Sequence, residues 1–174
     1  MRLQTDTLVV RPFEAADAQA LLAYANDPQV IGPAGMRALT TPEEAAAFIA
    51  RSHDEHAIVL AGRVVGQIGI YPRAADGPDG RTRELGYALA RRYWGRGVMT
   101  AVLQLVLAEL RRTGITEVWA GVFPDNQRSV ALLIRTGFTY RFTVPLALAL
   151  TPGAPRREAY YSQLLENENK KTEM

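Results

Sequence analysis

The most constraining feature of this 174-residue sequence is a glycine-containing basic loop between a predicted strand and a long apolar helix. Residues 84–89 (Glu-Leu-Gly-Tyr-Ala-Leu) predict the strand, and Val98–Arg112 carries apolar residues at helical spacing. The connecting residues 91–97 hold Gly95 and Gly97 beside arginines. Glycine lets backbone amides approach an anion closely, and a helix N-terminus adds unpaired N–H groups. The pattern therefore favours a phosphate or pyrophosphate ligand.

Two other interpretations of this loop stay open at this level. In the first, the glycines only shape a turn and the arginines are solvated. In the second, the loop binds a dinucleotide, but Thr100 stands where that fingerprint has its third glycine, and Asp125 lies beyond the usual spacing of the ribose-binding acid. A P-loop is excluded because no Gly-Lys-Ser/Thr follows.

The rest of the chain alternates between strand-like and helix-like segments, which predicts a mixed sheet covered by helices. The predicted strands are 7–13, 57–60, 64–71, 117–123, 138–150 and 157–165, and the predicted helices are 14–26, 41–51 and 126–135. Asp17 is the expected cap of the first helix. Residues 27–39 and 73–83 are rich in Gly or Pro and predict loops. We expect one domain over residues 1–165 and a polar tail over residues 166–174.

Composition excludes several classes of protein. The chain has no cysteine, which excludes disulfide scaffolds, thiolate metal sites and cysteine nucleophiles. A net charge of +2 does not indicate a nucleic-acid binder, and no apolar run predicts a transmembrane helix or a signal peptide. His53-Asp54-Glu55-His56 lacks the His-Glu-x-x-His spacing of a zinc site, so we expect a solvated helix end and no metal. We expect a soluble cytoplasmic protein with neither nucleic-acid nor membrane partners.

The loop resembles the acetyl-CoA signature of the GCN5-related N-acetyltransferases, the GNAT family. Arg92-Tyr93-Trp94-Gly95-Arg96-Gly97 matches the family's Gln/Arg-x-x-Gly-x-Gly/Ala pattern. Residues 125–138 are similar to the Asn-x-x-Ser-x-x-Leu-Leu block of the RimJ/RimL-like branch of ribosomal-protein N-acetyltransferases, and residues 5–13 match that branch's usual first strand. The resemblance covers nearly the whole chain. It implies an α/β GNAT fold, with a mixed, mostly antiparallel sheet whose central strands splay apart between flanking helices.

The resemblance also implies acetyl-CoA as the co-substrate, bound without a metal. Backbone groups of the strand would contact the pantetheine arm, from Tyr87, Ala88 and Leu89. The loop and the helix start would hold the pyrophosphate, through Arg92, Gly95, Arg96, Gly97, Val98, Met99 and Thr100. Asn126 would bond to the pantetheine arm, and Ser129 would lie near the thioester sulfur. Helix capping explains Asn126 and Ser129 equally well.

Transfer of an acetyl group to an amine requires the neutral amine, so the site needs a base. Glu84 is the candidate base because it opens the strand and, by alternation, shares a face with Gly86 and Ala88. The alternative is a solvated strand-end glutamate paired with Arg83 or Arg81. The tyrosine that serves many family members as the acid corresponds to Leu133 here, which leaves Ser129 or water to protonate the thiolate.

The sequence therefore predicts an enzyme that acetylates a primary amine directly from acetyl-CoA. The acceptor is either a protein N-terminus or a small-molecule amine, and a homodimer is compatible with the branch. The alternative is a non-catalytic acyl-CoA-binding sensor or scaffold, which Leu133 favours. A dinucleotide-binding oxidoreductase is the third class, and it predicts affinity for NAD(P).

Overall fold

The computed structural model describes three ranges of the chain: residues 1–73, 80–146 and 157–165. Those ranges contain eight strands and five α-helices. The strands make a mixed, mostly antiparallel sheet flanked by helices, so the α/β fold class implied by the resemblance is confirmed. The expected polar tail lies outside the described residues.

The chain divides into two compact units, each built from two segments. Unit 1 comprises residues 1–70 and 86–102, and unit 2 comprises residues 71–85 and 103–174. The expectation of a single domain over residues 1–165 stays a prediction.

Unit 1 contains an antiparallel run of strands in the order β1-β2-β3-β4. Its strands are β1 (Leu3–Gln4), β2 (Leu8–Pro12), β3 (Glu55–Leu60) and β4 (Arg63–Pro72), the last two residues of which belong to unit 2. Its helices are α1 (Ala18–Ala25), α2 (Pro28–Ile31) and α3 (Pro42–Arg51). Ala61 and Gly62 have φ angles of +47° and +77°, as a two-residue turn between β3 and β4 requires. The predicted strands 57–60 and 64–71 thus form an antiparallel hairpin.

The core of unit 1 is an apolar cluster formed by α1, α3, the segment between them and one residue of the strand that precedes the basic loop. The buried members are Leu21, Tyr24, Ala25, Val30, Leu39, Ala45 and Ala88. Helix α3 begins where the sequence predicts, because Thr41 Oγ1 accepts a hydrogen bond from the Glu44 amide at 3.2 Å.

Three local predictions in unit 1 are wrong. The Asp17 side chain does not cap α1; it accepts hydrogen bonds from Arg11 at 2.7 and 3.0 Å and from the Glu14 amide at 2.8 Å, closing the preceding 3₁₀ turn. Residues 27–39 include the one-turn helix α2, which Asp27 caps through the Gln29 amide. His56 is not at a solvated helix end, because it is buried within β3.

Unit 2 contains strands in the order β5-β6-β8-β7. They are β5 (Thr82–Leu89), β6 (Glu117–Val122), β7 (Thr139–Pro145) and β8 (Arg157–Leu164), with helices α4 (Val98–Arg112) and α5 (Gln127–Arg135). Strand β5 passes into unit 1 at Gly86, and α4 passes from unit 1 into unit 2 at Leu103. The bounds of α4 match the prediction, and Gly114 ends it with a φ of +86°.

The pairing of β5 with β6 is parallel and short. It extends from Thr82 opposite Glu117 to Leu85 opposite Ala120, whereas β5 continues to Leu89 and β6 to Val122. The pairs β6–β8 and β8–β7 are antiparallel. The splay of the central strands that the resemblance implies stays a prediction.

The two faces of β6 differ in character. Val118, Ala120 and Val122 are buried, so they form the core side of the strand. The alternate residues Glu117, Trp119 and Gly121 are only half-buried. Since paired residues share a face, the partners of these three residues on β5 and β8 lie on the same side of unit 2, among them the half-buried Glu84 and Tyr160 and the buried Ser162.

Candidate functional site

The basic loop of unit 1 folds into a conformation that only glycine adopts readily. Gly95 and Gly97 have φ angles of +69° and +74°, immediately before α4 begins. A Cβ added at either glycine would meet no heavy atom within 4 Å, so the backbone angle and not crowding requires glycine there. Arg92 and Arg96 are exposed beside them. The loop thus combines left-handed glycines, exposed guanidinium groups and the first turn of a 15-residue helix.

Side chains hold both ends of this loop in place. The Trp94 indole Nε1 donates to the Leu89 carbonyl at 2.7 Å, and its ring packs against the apolar cluster of unit 1. Arg91 Nε donates to Asp27 Oδ2 at 2.6 Å, and Nη1 donates to Gln29 Oε1 at 3.0 Å. The loop is therefore anchored to the end of β5 and to the start of α2.

The C-terminal half of β5 lies against the backbone of β4. A Cβ on Gly66 would overlap the Ala88 carbonyl oxygen, and the Ala90 amide donates to the Val65 carbonyl at 2.9 Å. Ala88 and Leu89 are both buried, whereas Glu84 and Gly86 are half-buried. Buried and half-buried residues therefore do not alternate regularly along this end of β5. Glu84 and Ala88, which the sequence predicts to share a face, differ in their burial.

Glu84, in unit 2, is paired with an arginine that follows β4. Arg73 Nε lies 3.6 Å from Glu84 Oε2, and the Glu84 side chain is 34% exposed. The Arg73 guanidinium also stacks over the Trp119 ring, 3.9 Å from its centroid. Arg73 Nη1 and Trp119 Nε1 are buried without a hydrogen-bond partner. Glu84 is thus held beside a guanidinium on the half-buried side of the sheet.

Aromatic and acidic side chains continue this side of unit 2. We call it the Trp119 face, and it comprises Arg73, Glu84, Glu117, Trp119, Gly121, Phe142, Glu158, Tyr160 and Ser162. The Tyr160 hydroxyl donates to Glu158 Oε2 at 2.9 Å. Burial, this hydrogen bond and the charges of Glu158 and Glu84 raise the pKa of Tyr160 to about 12. Tyr160 therefore stays a neutral hydrogen-bond donor at physiological pH.

Helix α5 uses its first residues for capping. Asn126 Oδ1 accepts a hydrogen bond from the Ser129 amide at 3.2 Å, so the capping interpretation of these two residues is confirmed. Leu133 is fully buried. A cofactor-binding role of Asn126 or Ser129 stays a prediction.

A family model described as "Acetyltransferase (GNAT) domain" matches residues 7–139, about three quarters of the chain. The chain belongs to the GNAT acetyltransferase family. The resemblance carried by the loop and by residues 125–138 is thereby confirmed at the level of the family, and the protein is an N-acetyltransferase.

Individual relatives of this N-acetyltransferase agree with the assignment. The uncharacterized N-acetyltransferase YoaA of Bacillus subtilis is 27% identical over 147 residues, covering 78% of this chain and 81% of YoaA. The Salmonella typhimurium acetyltransferase that modifies the N-terminal serine of ribosomal protein L7/L12 aligns with a TM-score of 0.81 at 21% identity, covering 95% of this chain and 100% of that one. The microcin C7 self-immunity acetyltransferase MccE, solved with acetyl-CoA and AMP, aligns with a TM-score of 0.77 at 20% identity, covering 92% and 93%. The two solved structures establish the fold.

Neither a metal cluster nor a membrane span is found in the part of the N-acetyltransferase that the structure describes. No group of three His, Cys, Asp or Glu side chains there is placed to hold a metal ion. No helix in the same ranges is long and apolar enough to cross a membrane.

Sequence reasoning missed three side chains of the Trp119 face. Arg73 lies in a segment predicted as a loop, and Glu158 and Tyr160 lie in a strand to which no function was assigned. The available signal was the alternation of Glu158, Tyr160 and Ser162 with the apolar Ala159 and Tyr161, which marks one polar and one buried side of β8. Alternation alone does not reveal which residues of β6 lie beside these polar side chains, because that requires the register of β8 on β6.

Proposed function

We propose that this N-acetyltransferase transfers the acetyl group of acetyl-CoA directly to a primary amine, either a protein N-terminus or a small-molecule amine. The observation that carries the proposal is the pair of left-handed glycines, Gly95 and Gly97, between the anchored end of β5 and the first turn of α4. Such a loop can direct several backbone amides towards a diphosphate, and the exposed Arg92 and Arg96 add positive charge.

The residues of unit 1 fit the donor. We assign the pyrophosphate to Arg92, Gly95, Arg96, Gly97, Val98, Met99 and Thr100, and the pantetheine arm to backbone groups of Tyr87, Ala88 and Leu89. The fit is supported by the absence of crowding at the Gly95 and Gly97 Cα positions. When bound, acetyl-CoA supplies an activated thioester. Asn126 and Ser129 remain further candidate contacts, through atoms that capping does not use.

Glu84 is the proposed base. A lysine-like amine has a pKa of about 10.4 and an α-amine of about 8, so most of the acceptor arrives protonated at neutral pH. A half-buried carboxylate can accept that proton directly or through one water. Arg73 holds the Glu84 carboxylate on one side, 3.6 Å from Nε, and so fixes its direction.

The proton donor to the departing thiolate is less demanding, because a thiol has a pKa of about 8.5. Leu133 is buried and carries no proton, so the tyrosine of many relatives has no counterpart at that position. We assign this role to the Ser129 hydroxyl or to water.

The acceptor assignment draws on the relatives. The Salmonella enzyme modifies a protein N-terminus, which supports an N-terminal amine and a RimJ/RimL-like role. A small amine is the second candidate, since no acidic or basic tract in the sequence decides between the two. The proposed location is the cytoplasm, which is compatible with a chain that has no cysteine, and the proposed assembly is a homodimer. We propose neither a nucleic-acid partner nor a membrane partner.

The test is release of CoA thiol from acetyl-CoA by the purified protein with a panel of amines. The panel comprises short peptides with free or blocked N-termini, polyamines, amino acids and aminoglycosides. The protein itself has no cysteine to react with the thiol reagent. Release with one amine class supports the proposal and identifies the acceptor. Acetyl-CoA binding without release from any amine would favour the sensor or scaffold alternative, and affinity for NAD(P) instead of acetyl-CoA would refute the donor assignment.

A further inference from the structure

The carboxylates of the Trp119 face have different partners. Glu84 lies beside the Arg73 guanidinium. Glu117 accepts a hydrogen bond from Ser162 at 2.9 Å, and Arg141 Nε donates to the same Ser162 hydroxyl at 2.8 Å. Two of the three carboxylates therefore have an arginine either in contact or one hydroxyl away.

Glu158 differs from both. The Glu158 carboxylate accepts a hydrogen bond from the neutral Tyr160 hydroxyl at 2.9 Å. Glu158 takes part in none of the ion pairs found within residues 1–73, 80–146 and 157–165. A cation that reaches a half-buried carboxylate with a neutral donor gains more than it would at an exposed carboxylate.

The backbone of β6 keeps the Glu158 carboxylate in position. Gly121 pairs with Tyr160, and a Cβ at Gly121 would overlap the Glu158 carboxylate oxygen. Glycine at this position therefore lets the carboxylate lie flat over β6, while Tyr160 fixes its orientation. Both contacts restrict the side chain before any ligand arrives, which reduces the entropy lost on binding.

The Tyr160 ring, whose hydroxyl contacts this carboxylate, packs against a second aromatic ring. The Phe142 and Tyr160 rings lie 5.3 Å apart, and Phe142 is 42% exposed. The same face already holds one cation in this way, because Arg73 combines a carboxylate at 3.6 Å with the Trp119 ring at 3.9 Å. A carboxylate beside aromatic rings is a general arrangement for binding ammonium groups.

We infer that Glu158 is a specificity-determining residue that binds a second positively charged group of the acceptor, so that the preferred acceptors are diamines or peptides with a cationic side chain near the N-terminus. The inference rests on the proposed function for the position of the reacting amine at Glu84. Glu84 pairs with Trp119, two residues before Gly121, which places the Glu84 and Gly121 Cα atoms about 8 Å apart. That spacing suits two amines joined by a short methylene chain.

The first measurement compares acceptors that differ by one charge. We expect wild-type kcat/KM to be about tenfold higher for 1,4-diaminobutane than for 4-amino-1-butanol. We expect the same ratio between a peptide with lysine at its second position and the analogous peptide with norleucine there. In Glu158→Gln both ratios should fall towards one. Glutamine is isosteric and still accepts the Tyr160 hydrogen bond, so the variant retains the contacts of the folded state.

The matched control is Glu117→Gln, which removes the same charge from the same face at a carboxylate that already has partners. Both ratios should remain at their wild-type values in this control. Tyr160→Phe keeps the ring but removes the hydrogen bond to Glu158, and it should lower the ratios by less than Glu158→Gln does.

A second measurement does not require turnover. Calorimetric titration of 1,4-diaminobutane into the wild-type protein should give an affinity about tenfold higher than in Glu158→Gln. Equal affinities, or ratios that Glu158→Gln leaves unchanged, would overturn the inference. Failure of every amine to release thiol, together with diamine binding that depends on Glu158, would refute the proposed function while supporting the cation site.

Discussion

Replacing Gly97 by alanine tests the proposed donor loop with a change whose energy the structure bounds. Gly97 has a φ of +74°, and a Cβ there would touch nothing within 4 Å. The substitution therefore introduces no clash, and its whole effect is the preference of alanine against the left-handed region, about 1–2 kcal/mol. Gly114 is the matched control, because it has a φ of +86°, an equally open Cβ position and a place at the other end of α4.

In the two variants this energy should appear in different measurements, as lost stability in Gly114→Ala and as weaker acetyl-CoA binding in Gly97→Ala. At Gly114 the helix end fixes the backbone: the Gly114 amide bonds to the Arg111 carbonyl at 3.1 Å and the Ile115 amide to the Leu110 carbonyl at 3.0 Å. The energy must then appear as lost stability, a fall in Tm of about 2–8 °C. At Gly97 the exposed loop can relax in the free protein, and binding acetyl-CoA must restore the left-handed conformation. We expect acetyl-CoA to bind about 5- to 30-fold more weakly, with a smaller change in Tm.

The assay is thermal unfolding of Gly97→Ala and Gly114→Ala, together with calorimetric titration of acetyl-CoA into each. Gly114→Ala should bind acetyl-CoA as the wild type does. The reasoning fails if Gly97→Ala loses as much stability as Gly114→Ala and yet keeps wild-type affinity, because the loop amides would then not contact the donor.

Three further outcomes follow from individual contacts. Glu84→Gln should reduce kcat on amines by about 100-fold or more while the acetyl-CoA Kd stays within about twofold, which single-turnover and titration data separate. Asp27→Asn removes the charge that holds Arg91, so the acetyl-CoA KM should rise by about two- to fivefold, with kcat as the comparison. Burial raises the pKa of Asp17, but hydrogen bonds from Arg11 and a backbone amide outweigh it and leave the pKa below its ordinary value. The ionised pair therefore stabilises the fold above about pH 4, and this contribution is lost as the pH falls through the lower folded pKa; Asp17→Asn should lower the Tm at pH 7 more than at pH 3.

Local signals predicted the elements that carry the donor loop. Helix α4 begins and ends where its apolar periodicity indicates, and β3 and β4 lie where strands 57–60 and 64–71 are predicted. Thr41 and Pro42 likewise locate the start of α3. Each of these features is decided by a few neighbouring residues, so no long-range information is needed.

The contacts of the Trp119 face required information that the sequence does not contain locally. Arg73 and Glu84 are 11 positions apart with a polar segment between them, and Glu158 is far from both. Their meeting depends on which strand pairs with which and in what register. Asp17 is an example of a local signal misread: its spacing from α1 suggests a cap, but the bidentate contact with Arg11 is stronger than a single amide hydrogen bond.

Our proposals assign donor binding and acceptor chemistry to different residues, and this separation makes them independently testable. The donor contacts proposed for the loop depend on backbone angles at Gly95 and Gly97, whereas the proposed acceptor activation and selection depend on carboxylates of the Trp119 face. In helix α5, Asn126 serves as the cap and Leu133 is buried, so Ser129 is the one residue of this helix to which we assign a proposed proton-donor role. Lesions in the loop should therefore change the KM for acetyl-CoA with the amine preference intact. A lesion at Glu158 should change the preference among amines at an unaltered acetyl-CoA KM, and a variant that altered both together would show that the two functions are coupled.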